Sequence, residues 1–374
     1  MLREVVITGL GVVTPIDCGR GIDFFWKGLC EGTNIIKPIK SFNTAGHKCK
    51  VGGEITDFET DNRCVKIFSL ACEEALIDSD ITFGSEKIGI CFGSILAGIN
   101  NKGQDYFPYN ISGAIAKRWN LSGPNICVNT ACSSGADALG LAFNEIFSGR
   151  AEVMIAGAAD LLSEFAFQGF SALDALTKDG FVRPFDKDRT GMALSEGAGA
   201  IVVEEKSHAQ KRTAKIYAQI KGFSSCSDAY HLVRPQPEGE GLSMAISRAI
   251  AASGISSGDV NFINAHGTGT TYNDVMETKA IKRVFGSSVS GIKISSIKSM
   301  VGHALGASSL IEIISCVKTM ESGIIPPTIN YRHSDPECDL DYVFNQACNK
   351  EVAVSVSLSA GFGGQNSAVV LERG

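Results

Sequence analysis

NICVNTACSSGADALGLAFNEIFSGRAEVMIAGAAD, residues 125–160, runs from an apolar strand through a turn of small residues into an Ala-rich helical stretch, then into a second apolar strand. Strands that are apolar at almost every position are buried on both faces, which predicts an α/β architecture. The alternation extends in both directions. Upstream lie VVITG at the start and IGICFGS at 88–94; downstream lie AIVVEE at 200–205, KIYAQIKGF at 215–223, VNFINAHG at 260–267, IKISSIKS at 292–299 and AVSVSLSAGFGG at 353–364. GAIVVEE at 199–205 resembles SAVVLER at 367–373, and each closes about half of the chain. This suggests an internal duplication. The charged segment 204–215 is a plausible seam, giving halves at 1–210 and 211–374 with no long linker between them.

The 374 residues, 44% hydrophobic and 20% charged, exceed what one core usually organises, which agrees with two packed halves. A net charge of -6 and the absence of a run of basic residues argue against nucleic-acid binding. The N-terminal VVITGLGVVTP is too short and Gly-broken for a membrane helix and too strand-like for a signal peptide, so a cytoplasmic protein is expected. The twelve cysteines include no CxxC pair, which disfavours a metal site and fits buried thiols in a reducing compartment.

Cys132 differs from the other eleven by position. It follows a strand and precedes a helix expected from about Ser133, where the helix dipole favours a thiolate. Gly135 and Ala136 leave room for a substrate or a neighbouring backbone to approach. A structural cysteine at a strand end is the competing reading. Two of the six histidines, His266 in AHGTGTTYND and His303 in KSMVGHALGAS, sit in turns that follow predicted strands, where α/β sheets place their chemistry. Lys298 precedes His303 by five residues and would hold nearby imidazoles neutral. Glu312, in a helix expected from about Leu305, is available as its counter-charge.

TACSSG, NAHGTGT, KSMVGHALGA and GFGG, in this order, resemble the beta-ketoacyl-acyl-carrier-protein synthases of the thiolase-like superfamily, specifically the elongating Cys-His-His type. The resemblance extends to ITGLGVVTP, VRPFDKDRTGMALSEGAGAIVVEE, SDAYH and PPTINY, nearly the whole chain. It implies a duplicated five-layer αβαβα fold with the active site between the halves. It also implies that Cys132 carries the growing acyl chain, while His266 and His303 stabilise the enolate formed when malonyl-acyl carrier protein loses carbon dioxide. Lys298 and Glu312 would hold the histidines. The N–H groups of Cys132 and Phe362 would form an oxyanion hole. Thr268 and Thr270 would contact the pantetheine arm, and Phe362 would gate malonyl entry, swinging on Gly361, Gly363 and Gly364. No metal or tightly bound cofactor is implied, since phosphopantetheine arrives on the acyl carrier protein.

The chain departs from this pattern in being shorter than its relatives, with losses expected within 58–70 and 98–118, a region that lines the acyl pocket and helps build the dimer in the family. The aromatic residue usual before GFGG is Ala360, and Gln365 follows. A homodimer is expected, with a heterodimer with a second synthase-like subunit as the alternative. Arg63, Lys66 and Lys117 are candidate contacts for the acidic carrier. A non-elongating subunit like the chain-length factors, which lack the nucleophile, and an enzyme that only decarboxylates malonyl carrier or only transfers acyl groups are the other readings. Retention of Cys132 with His266, His303 and Lys298 argues against the first.

Overall fold

The computed structural model describes residues 3–56, 62–81, 87–97 and 107–374. The first half of the chain contributes β1 (Val5–Val13), β2 (Ile88–Gly93), β3 (Asn125–Val128), β4 (Val153–Asp160) and β5 (Gly197–Glu205) to one large sheet. The second half contributes β6 (Ala218–Ser227), β7 (Phe262–Asn264), β8 (Lys293–Ser295), β9 (Val354–Gly361) and β10 (Gln365–Arg373). All ten coincide with apolar runs evident in the sequence.

The strand order is β3-β2-β4-β5-β1 in the first half and β8-β7-β9-β10-β6 in the second. In each half the first two pairings are parallel and the next two antiparallel. The second half therefore repeats the first strand for strand. GAIVVEE and SAVVLER lie in β5 and β10, which occupy equivalent places. The halves join where β1 runs antiparallel to β6, with Val5 opposite Ile220.

Helices Ser134–Phe147 and Ser308–Ser322 each pack on strands of both halves and on each other, forming the middle layer. Twelve of the fifteen residues of Ser308–Ser322 are buried, as a helix covered on both sides requires. Its Leu310, Ile311, Ile313, Ile314 and Val317 belong to the largest apolar cluster, each stabilising the fold by about 1.5–3 kcal/mol. Helix Arg63–Ser79 covers the outer face of the first half, and Glu240–Ser253 that of the second, with Asn273–Phe285 against it. These are the five layers αβαβα.

Gly135 meets the other middle helix, where a Cβ would stand 2.8 Å from Leu310 Cβ. Its bareness thus serves helix–helix approach rather than access of a substrate to the sulfur. Of the segments expected to be shortened, residues 57–61 and 98–106 lie outside the described residues; 63–79 and 108–119 are helical. Among the described residues, no helix is long and apolar enough to cross a membrane.

Candidate active site

Strand β3 ends at Val128, and the chain reverses through Thr130 and Ala131 before the helix opens at Ser134. Ala131 takes φ +53, a conformation unfavourable for any residue with a Cβ. The turn is held by Ser133 N–H to Thr130 O at 3.3 Å and Ser134 N–H to Ala131 O at 3.1 Å. Cys132 therefore sits at the tip of a strained elbow and is buried. The equivalent edge strand of the second half, β8, leads by the same logic to Lys298 and His303, while its neighbour β7 leads to His266.

Cys132 Sγ and a ring nitrogen from each of His266 and His303 lie within 4.8 Å of one another. The two rings are 5.5 Å apart and nearly perpendicular. His303 Nδ1 accepts the Leu305 N–H at 3.1 Å and lies 3.0 Å from Ser308 Oγ. A backbone N–H can only donate, so the ring hydrogen of neutral His303 is on Nε2. The same holds for His266, whose Nδ1 faces the Lys298 ammonium at 3.2 Å. Lys298 also donates to the His266 carbonyl at 2.8 Å and is ion-paired with Glu312, all three side chains being buried. Burial, then the Lys298 charge, and for His266 also His303, hold both histidines well below the usual imidazole range. Burial pushes Glu312 up to about 7 against the pull of Lys298. The site thus offers two Nε2–H donors from neutral rings. A metal held by these three residues would need both Nε2 atoms stripped of hydrogen and the thiol ionised, which this arrangement disfavours.

The thiol itself departs from expectation. Burial pushes Cys132 up to about 11, and the Lys298 charge and the Phe362 N–H only partly oppose this. A helix N-terminus is worth about 0.3–1 kcal/mol at an exposed site and up to about 2 kcal/mol at a partly buried one, at most about 1.5 pKa units, so desolvation outweighs it. Phe362 N–H hydrogen-bonds the sulfur, and a Cβ on Gly361 would stand 3.0 Å from the Cys132 nitrogen. The end of β9 therefore lies directly over the nucleophile, bringing the Cys132 and Phe362 amides together.

A cavity of about 650 Å³ opens from Cys132, His266 and His303 to the surface. Thr268 and Thr270 line it, their hydroxyls 2.9 Å apart, together with Phe362 and Gly364; Gly363 is not among the lining residues. Phe362 stacks on Phe170 at 5.3 Å. Only Gly363 of the three glycines around it has open space, since Gly361 abuts Cys132 and Gly364 abuts Asp228.

Arg63, Lys66 and Lys117 do not line this cavity, and Arg63 is ion-paired with Glu196 at 2.5 Å. The basic lining side chains are Lys178, Arg189 and Arg234. Glu277 escaped sequence reading: it accepts the His266 N–H at 2.6 Å and the Gly267 N–H at 2.8 Å, and burial pushes it up to about 7. Its signal was a carboxylate early in the helix that follows the HGTGT turn.

Residues 2–209 match the model of the beta-ketoacyl synthase N-terminal domain, and residues 217–332 that of the C-terminal domain. The chain belongs to the beta-ketoacyl synthase family. It is 37% identical over 410 aligned positions to 3-oxoacyl-[acyl-carrier-protein] synthase 2 of Synechocystis sp., covering 99% of this chain and 98% of that one. It is 36% identical over 417 positions to the tetracenomycin polyketide synthase ketoacyl synthase alpha subunit of Streptomyces glaucescens, covering 99% and 97%. Alignments this long against 374 residues agree with a shortened synthase. Among solved structures, the ishigamide ketosynthase/chain length factor superposes with a TM-score of 0.93 at 32% identity, and a type II polyketide ketosynthase in complex with its acyl-carrier protein with 0.92 at 31%. Both cover all of each chain. These beta-ketoacyl synthases share the thiolase-like fold described above.

Proposed function

We propose that this beta-ketoacyl synthase joins an acyl group held on Cys132 to the two-carbon unit of malonyl-acyl carrier protein, giving a 3-oxoacyl-acyl carrier protein. The observation that carries this is the convergence of one thiol and two imidazole Nε2–H groups at the foot of one cavity. In the first step Cys132 Sγ attacks the acyl thioester, and its proton leaves on the carrier thiol. The Cys132 and Phe362 amides hold the oxyanion. In the second, the malonyl thioester oxygen takes hydrogen bonds from His266 and His303 Nε2–H, and the bond to the carboxylate breaks as carbon dioxide departs. The enolate carbon then attacks the acyl-Cys132 carbonyl, and the released thiolate takes up one proton. The neutral histidines can fill this role because each keeps its Nε2–H as a donor for the developing negative oxygen while its Nδ1 is engaged elsewhere.

The pantetheine arm would lie along Thr268 and Thr270, so the chain needs no tightly bound cofactor of its own. Phe362 acts as the gate in this reading, held by its stack on Phe170. Strand β3 ends the sheet with its outer edge unpaired among the described residues, and its side chains are exposed or half-buried although Cys132 lies just beyond it. Pairing of this edge with a second copy would cover it. The ishigamide complex supports a synthase-like heteropartner as the alternative. Reconstitution with acyl and malonyl carrier proteins tests the reaction. A 3-oxoacyl carrier with release of carbon dioxide is expected, and acylation of Cys132 without any condensation would overturn it. Light scattering tests assembly: a dimer is expected, and a monomer active only with a second subunit would favour the heterodimer.

A further inference from the structure

Asp160 ends β4 in the first half of the chain, is fully buried and does not line the cavity, although its charge helps to raise the Cys132 thiol. Its carboxylate nevertheless gathers donors from two separate places. Oδ1 accepts Ser94 Oγ at 2.7 Å, Leu96 N–H at 2.9 Å and Ala97 N–H at 3.0 Å, and the Ile95 N–H lies between both oxygens. Oδ2 accepts the Gly306 N–H at 2.8 Å, across 146 residues of sequence. Both places hold a strained residue: Ala97 takes φ +52 and Leu305 takes φ +52. Leu305 supplies the N–H that fixes the His303 tautomer, and Gly306 is its immediate neighbour. The fit is close, because a Cβ on Gly306 would stand 2.8 Å from Asp160 Oδ2. The backbone of His303 is held from the same half, by Ser195 N–H to His303 O at 2.9 Å and His303 N–H to Ala193 O at 2.8 Å.

We infer that Asp160 is a positioning residue for condensation: by anchoring Gly306 it keeps Leu305 strained and aimed at His303 Nδ1, which holds the His303 Nε2–H toward the substrate oxygen. A buried carboxylate that accepts four backbone N–H groups is the side chain best able to offset unfavourable φ values on two loops at once. An amide could not replace it. With its oxygen turned to residues 94–97, its NH2 would face the Gly306 N–H, donor against donor.

This inference rests on the reading of His303 as an enolate-stabilising donor, and the experiment separates the two. Asp160→Asn, Gly306→Ala and His303→Ala are compared for acyl transfer to Cys132 by intact mass, for condensation kinetics with malonyl carrier protein, and for the His303 tautomer by 15N NMR. Asp160→Asn should keep acyl transfer within about twofold and lower kcat for condensation about tenfold or more at little-changed KM, with the His303 nitrogen shifts moving away from the pure Nε2–H form. Gly306→Ala, which keeps the Asp160 side chain but sets a Cβ 2.8 Å from its Oδ2 and 3.2 Å from both Ile95 N and Ser134 Cβ, should give the same signature and decides the matter if Asp160→Asn does not fold. Equal losses of transfer and condensation, or unchanged His303 shifts, would overturn the inference. If His303→Ala itself leaves condensation unharmed, the reading of His303 fails instead.

Discussion

Lys298 Nζ stands 3.2 Å from His266 Nδ1, and that one contact determines which face of the imidazole can act. An ammonium only donates, so Nδ1 must accept and the ring hydrogen is left on Nε2. Lys298 is itself held by Glu312, the pair being almost completely buried. Lys298→Met should therefore cost stability as well as activity, since it strands the Glu312 carboxylate. The expected loss is about 3–5 kcal/mol, read from denaturant unfolding. Glu312→Gln, which keeps a hydrogen-bonding partner, should cost less. No loss of stability in Lys298→Met would show that the fold does not depend on this pairing.

His266→Ala and His303→Ala should each lower condensation by roughly 10² to 10³ while leaving acyl transfer to Cys132 largely intact, the scale of deleting one oxyanion donor. Rates with a labelled acyl carrier check the first step, and 3-oxoacyl product formation the second. A parallel fall in both would contradict the division of labour.

The Cys132 thiol, pushed up to about 11 by burial, is protonated at neutral pH. Its alkylation by iodoacetamide should rise roughly tenfold per pH unit between about pH 6 and 9, because the thiolate fraction does so below the pKa. A plateau near neutrality would mean that the helix N-terminus outweighs burial after all.

Gly135→Ala discriminates between two roles of a small residue beside the nucleophile. The added Cβ would meet Leu310 of the facing middle helix, so unfolding should become easier by about 1–3 kcal/mol. Unchanged stability with slowed acylation would instead restore a role in substrate access.

The ten strands were legible because their apolar runs are bounded by turn residues, and the duplication because β5 and β10 kept similar sequences. Cys132, His266, His303 and Lys298 stood out because each follows a strand end within a distinctive short segment. What escaped was contact across the chain. Asp160 meets Gly306 over 146 residues, and Arg63 meets Glu196 over 133, so neither the anchor of the His303 turn nor the engagement of Arg63 leaves a local pattern. The state of the Cys132 thiol is hidden for a related reason: a helix start is visible in sequence, whereas the burial that outweighs it comes from β9 folding over from the far end of the chain.

The central claim, that Cys132 carries the acyl chain that is then joined to a malonyl unit, is tested most directly by intact-protein mass spectrometry. Wild-type protein incubated with an acyl carrier protein should gain one acyl mass that maps to Cys132 and disappears when malonyl carrier protein is added, with a 3-oxoacyl carrier formed in its place. Cys132→Ala should gain nothing. An acyl adduct that persists in Cys132→Ala, or one that malonyl carrier protein never discharges, would contradict the account.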